Sequence, residues 1–199
     1  MTGSLSPAAG LVGRFLVAAP SMPDERFRKS VILLCQHDED GALGLIVNNS
    51  VDDLALAQVF KQLGIEGARA ESDRPVLFGG PVQTERGMVL HSEEYRRDGT
   101  LPVAGGLALT ASLEVLRDMA DGRGPARAWL ALGHAGWGSG QLERELQDNA
   151  WLVVDGDPEL VFDGDLDGKW QRALDRLGGG GPERRSFDPA LYSHQSGRA

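Results

Sequence analysis

The chain has little cysteine, no long apolar run and no surplus of positive charge, and each shortage narrows what it can be. Cys35 is the only cysteine among 199 residues, so an internal disulfide is excluded and a reducing compartment suits the chain. No tract of twenty apolar residues occurs, which excludes a helical membrane span. The N-terminal segment lacks the charged-then-apolar order of a secretory signal, its first basic residue being Arg14, and the expected location is the cytoplasm. A formal charge of −9 and an isoelectric point near 4.9 disfavour direct nucleic-acid contact, which needs a concentrated positive face.

Histidine is scarce and scattered too. His37, His91, His134 and His194 form no His-x-x-x-His pair, and Cys35 has no Cys-x-x-Cys partner, so no metal site is predicted. The run from Asp163 to Gly168 begins like a calcium-binding loop, but its twelfth position is Leu174 rather than glutamate. An acidic turn beside a helix start is the expected structure there.

What the chain does have is 41% hydrophobic and 25% charged residues, the balance of one globular domain with a sizeable core. Residues 1–177 are expected to form that domain, and 178–199 a glycine-rich tether with a polar tail. The pattern predicts strands over 11–19 and 31–37 and a hairpin through Asp38–Gly41 into 43–49. Cys35 and His37 alternate onto one strand face, a conceivable nucleophile and base, though strand spacing of about 6.5–7 Å places them beyond direct hydrogen bonding. A helix is expected over 53–63, initiated near Ser50. Strands follow at 75–78, closed by Gly79-Gly80-Pro81, and at 88–91; a third spans 101–110 with a bulge at Gly105-Gly106. Thr110 is the predicted cap of a helix that ends at Gly122.

The stretch from Trp129 to Trp151 is the most distinctive. It reads as a strand to residue 132, a glycine loop over 133–140 and a helix over 141–149, then a strand over 151–154. A further strand at 160–162 and a helix over 169–177 complete the pattern. A glycine loop ahead of a helix can present amides to a small anionic ligand. Yet the sequence Gly136-Trp-Gly-Ser-Gly-Gln141 matches neither a dinucleotide fingerprint nor a phosphate loop, and Ser139 lacks the Gly-x-Ser-x-Gly frame of a hydrolase. The alternative is a tight turn plugged by Trp137. The candidate ligand-binding residues are therefore Cys35, His37, Asn48, Gly79, Gly80, Gly133, His134, Gly136, Trp137, Gly138, Ser139 and Gln141, all at strand ends or beside glycine-rich turns.

Three ordered blocks, VILLCQHDEDGALGLIVN, FGGPVQTERGMVLH and LGHAGWGSGQLERELQDNAWL, resemble the YqgE/AlgH family of bacterial proteins, and the likeness extends over essentially the whole chain. The resemblance implies a single α/β domain, mixed α+β, with a strongly bent sheet flanked by helices. It brings no catalytic residues, cofactor remains unknown, and some family members carry a transcriptional-regulator label. His134 stands where the family usually has tyrosine, and Asn49-Ser50 where arginine or lysine and proline often follow the asparagine. The implied role is regulation through a protein partner or small ligand; the alternative is a small-molecule enzyme with a pocket at the strand ends.

Overall fold

The structure is a computed structural model that describes residues 10–67 and 73–178; of the predicted tether and tail, 178–199, only Gly178 is described, as the last residue of a helix, and the rest lies outside. The strands are β1 (Phe15–Ala18), β2 (Val31–Asp38), β3 (Gly41–Ile46), β4 (Ser50–Ala55), β5 (Pro75–Phe78), β6 (Val82–Ser92), β7 (Leu101–Val103), β8 (Leu107–Thr110), β9 (Ala128–Gly138) and β10 (Trp151–Val154). The helices are α1 (Leu56–Gln62), α2 (Leu113–Ala120), α3 (Gln141–Gln147), α4 (Pro158–Phe162) and α5 (Lys169–Gly178). The fold is mixed α+β, with one strongly curled sheet in the order β10-β1-β2-β3-β9-β6-β8-β7. All pairs are antiparallel except β5, which runs parallel to β9.

β9 organises this sheet. Along one edge it pairs first with β5 (Leu77 opposite Ala131) and then with β3 (Gly44 opposite Ala135), while β6 occupies the other edge. Gly133 sits where the partner changes, with φ at 71°. A Cβ there would meet the Gly80 carbonyl oxygen at 2.3 Å, and one on Gly79 would meet the Gly133 oxygen at 2.3 Å. The glycines at 79, 80 and 133 thus let two backbones cross in near contact, as glycine does inside strands.

Side chains follow from that kink. Trp129 and Ala131 point into the cluster lined by every strand but β4, and Ala135 and Trp137 point into the cluster on the opposite face. Strict alternation would have kept all four on one face. The first cluster, with Phe15, Leu33, Leu45 and Leu90 at its centre, is capped by Leu160 and Val161 of α4 and Ala173 of α5. α3 covers the second through Leu142 and Leu146. α1 and α2 cover a third, around Val89 and Leu130.

Several expectations are corrected. The predicted glycine loop over 133–140 is mostly strand, because β9 continues to Gly138 and only Ser139-Gly140 turns. Residues 50–55 are strand rather than helix start, and α1 begins at Leu56, the pairing with β5 having outweighed the local capping pattern. Gly105 and Gly106, at φ 81° and 79°, close the β7–β8 hairpin instead of bulging one strand, since two consecutive positive φ values are what a type I′ turn requires. The cap of α2 is Ser112. Residues 160–162 are helical, set by Asp157 accepting from the Glu159 amide at 2.9 Å and by Pro158 in the first turn.

Candidate functional site

A cleft of about 360 Å³ lies between the Ser21–Phe27 segment, the end of β9, α3 and the start of β10, more enclosed than a larger, open recess of about 530 Å³ lined by Asn48, Ser50, Phe78 and the acidic turn from Gly164 to Asp167. Its walls are aromatic. Phe27 and Trp151 meet edge-to-face at 5.6 Å and 70°, and Trp137 and Trp151 at 6.0 Å and 77°, the arrangement that ring quadrupoles favour.

Glu145 holds the walls in place. Its Oε2 accepts from the indole Nε1 of Trp137 at 2.8 Å and from that of Trp151 at 2.8 Å, and its Oε1 accepts from Gln141 Nε2 at 2.9 Å. Gln141 and Glu145 are one helical turn apart, so they share a face of α3. Leu142 and Leu146 anchor the adjoining stripe in the core. Gln141 also takes the Gly138 amide through Oε1 at 3.1 Å. Asp24, Arg26 and Asp148 stand among the remaining lining residues, with Met22, Pro23, Pro81, Val82 and Ala150 supplying apolar surface. The Arg26 guanidinium beside Asp24, at 2.7 Å, holds the Asp24 carboxyl below the usual carboxylate range.

The predicted site residues divide. Gly136, Trp137 and Gln141 line this cleft. Gly138 is adjacent, with its amide already bonded, and the Ser139 hydroxyl donates to the Glu39 carbonyl at 2.7 Å, pinning the β2–β3 hairpin tip. His134 is half-buried, its Nδ1 without a hydrogen-bond partner among the described residues, and burial, more than the nearby Arg86 charge, holds it below the ordinary histidine range. Gly79, Gly80 and Gly133 serve the strand crossing. Asn48 is a backbone splice: Oδ1 accepts from the Val31 amide at 2.8 Å and Nδ2 donates to the Lys29 carbonyl at 2.9 Å.

Cys35 and His37 do not share a face, contrary to the alternation. The β2–β3 register shifts between Leu34 and Gln36, and this bulge reverses the parity. Cys35 therefore packs with Leu33 and Leu45, where burial pushes its thiol up to about 12. His37 turns toward α3, and its Nε2 lies 2.7 Å from Glu143 Oε1.

Two further polar groupings escaped the sequence reading. His91 is fully buried between the Ser92 carbonyl (Nδ1, 2.9 Å) and the Thr110 hydroxyl (Nε2, 2.8 Å), and desolvation lowers its pKa. Asp118 accepts from Tyr95 at 2.7 Å and from Arg97 at 2.9 Å, which fastens the 93–100 loop to α2. In the acidic turn, Arg172 pairs with Asp163 at 2.9 Å and Asp165 at 2.5 Å. The sequence reading also left out Glu145, Trp151, Phe27 and Asp24. A carboxylate one turn from Gln141, on a helix flanked by Trp137 and Trp151, was the available signal for the first two.

Comparison with known proteins places these features in context. A family model described as AlgH-like matches residues 15–181. A UPF0301 protein of Ruegeria pomeroyi is 48% identical over 191 residues, covering 95% of this chain and 99% of its own. Another, from Rhodospirillum rubrum, is 45% identical over 189 residues, covering 95% and 94%. Among solved structures, the AlgH protein from Pseudomonas aeruginosa is similar at a TM-score of 0.74 and 38% identity, with 100% of both chains covered. Protein DIP2367 from Corynebacterium diphtheriae is similar at 0.69 and 25% identity, covering 96% and 94%.

Proposed function

This chain belongs to the AlgH-like family, and on that premise we propose that it is a cytoplasmic regulatory protein acting through binding, with the Trp137–Trp151 cleft as its binding site. The observation that carries the reading is Glu145. One carboxylate takes three donors and so fixes two tryptophans from β9 and β10 in mutual orientation, which preorganises the walls and lowers the entropy lost when a ligand enters. The volume of about 360 Å³ lies within the roughly 300–1,000 Å³ of small-ligand sites. The groups a catalytic reading would enlist are committed elsewhere: the Cys35 thiol is sealed in the core and the Ser139 hydroxyl is bonded to a carbonyl.

A thermal-shift screen of the full chain against nucleotides, phosphorylated metabolites, amines and short peptides tests the proposal, run beside Gly136→Phe. A Cβ at Gly136 makes only ordinary contacts, with Val82 at 3.7 Å, so the strand accepts a side chain there, and the ring of this variant is expected to obstruct the cleft. At least one class is expected to stabilise the native protein and not the variant. Equal stabilisation of both proteins, or of neither, would remove the cleft from consideration.

A further inference from the structure

Building on the reading of this cleft as a binding site, we infer that its ligand is a cation on an aliphatic stem, a guanidinium or ammonium group of the arginine or lysine type. The charges that line the cleft are three carboxylates, Asp24, Glu145 and Asp148, against one guanidinium, Arg26. Arg26 is already paired with Asp24 at 2.7 Å, and Asp148, exposed at the cleft, adds a further negative charge. An anion would enter against this balance, and the Gly138 amide it would need is bonded to Gln141.

The aromatic corner has the same preference. Both indole N–H groups are directed at Glu145, so neither is free to donate to an anion, whereas an aromatic face attracts cations. The chain supplies its own example: the Arg26 guanidinium lies 5.8 Å from the centroid of Phe27, within the roughly 6 Å of such contacts. Glu145 has capacity left as well. A carboxylate offers about four acceptor positions, and three are filled. Finally, Met22, Pro23, Val82 and Ala150 provide the apolar surface along which a methylene stem would lie while its head reaches the acids.

The test follows the indole N–H signals of Trp137 and Trp151 in ¹H–¹⁵N spectra of the full chain at low salt. Capped glycine pentapeptides carry arginine, lysine, citrulline, norleucine or glutamate at the centre, and blocked free arginine forms a separate arm. Arginine or lysine is expected to shift both signals with at least a tenfold lower Kd than citrulline or norleucine. The affinity should fall with added salt, weaken several-fold in Asp148→Asn and disappear in Gly136→Phe. Comparing peptide with free arginine tells a polypeptide source from a metabolite. If norleucine or glutamate binds as tightly as arginine and Gly136→Phe abolishes it, the cleft binds but the cation inference is wrong. If no probe up to about 10 mM, a binding energy under roughly 3 kcal/mol, shifts these signals in a way the variant removes, the cation inference falls, and the binding-site reading falls with it only if the thermal-shift screen also finds no class that separates the native protein from Gly136→Phe.

Discussion

Lys169 illustrates how one residue can set a pH dependence. It opens α5 with no exposed surface, and its Nζ donates to the carbonyls of Val47 at 2.9 Å and Val161 at 2.7 Å, 5.5 Å from the Trp129 ring centroid. Burial lowers its pKa from 10.5 to about 7, so between those values the unfolded chain holds a proton the native protein lacks. Stability from this group therefore rises with pH across that window, by at most about 1.4 kcal/mol per pH unit. Urea unfolding at pH 7.5 and 8.5 should show this slope in the native protein and its loss in Lys169→Met; parallel slopes in the two would contradict it. Glu145 gives a second prediction. Glu145→Ala strands two indole donors in a largely buried site, each unsatisfied group costing about 1–3 kcal/mol, so chemical denaturation should register a loss of at least about 2 kcal/mol. Neither role was legible in the sequence, because a lysine and a glutamate on helix faces ordinarily mark solvent.

At the scale of elements, β9 shows why local signals misled. Glycines at 133, 136, 138 and 140 resemble a loop by composition, yet three of them lie in a strand, Gly136 and Gly138 because they pair with β3 and Gly133 at a crossing where the Gly80 backbone leaves no room for a Cβ. Gly133→Ala is expected to destabilise the protein by more than about 2 kcal/mol, combining the penalty for positive φ with the clash against the Gly80 oxygen. A Tm unchanged within a degree would mean that the strand crossing is looser than described. The two parity reversals, at Gly133 and at Cys35, were equally hidden, since a bulge is recognised by the register of the partner strand and not by its own residues. Other elements were plain: the β2–β3 hairpin and α5 appear where hydrophobic spacing and turn residues predict them.

For the whole molecule, the three apolar clusters all draw residues from β9 or the strands beside it, which couples their unfolding. Fluorescence and far-ultraviolet circular dichroism should report coincident denaturation curves; two separated transitions would show that the domain is divisible. The negative charge leads to another expectation, that a gel-shift titration at low salt yields no sequence-specific, salt-sensitive DNA complex. The sequence by itself determined the family, the mixed α+β class and the position of most strands, because these rest on ordered motifs and on short-range alternation carried along the chain. Tertiary structure alone decided that Cys35 and His37 face apart, that the glycine stretch is strand, and that Phe27, Trp137, Glu145 and Trp151 enclose one cleft. Those outcomes depend on strand register and on contacts between segments more than one hundred residues apart, which no local pattern encodes.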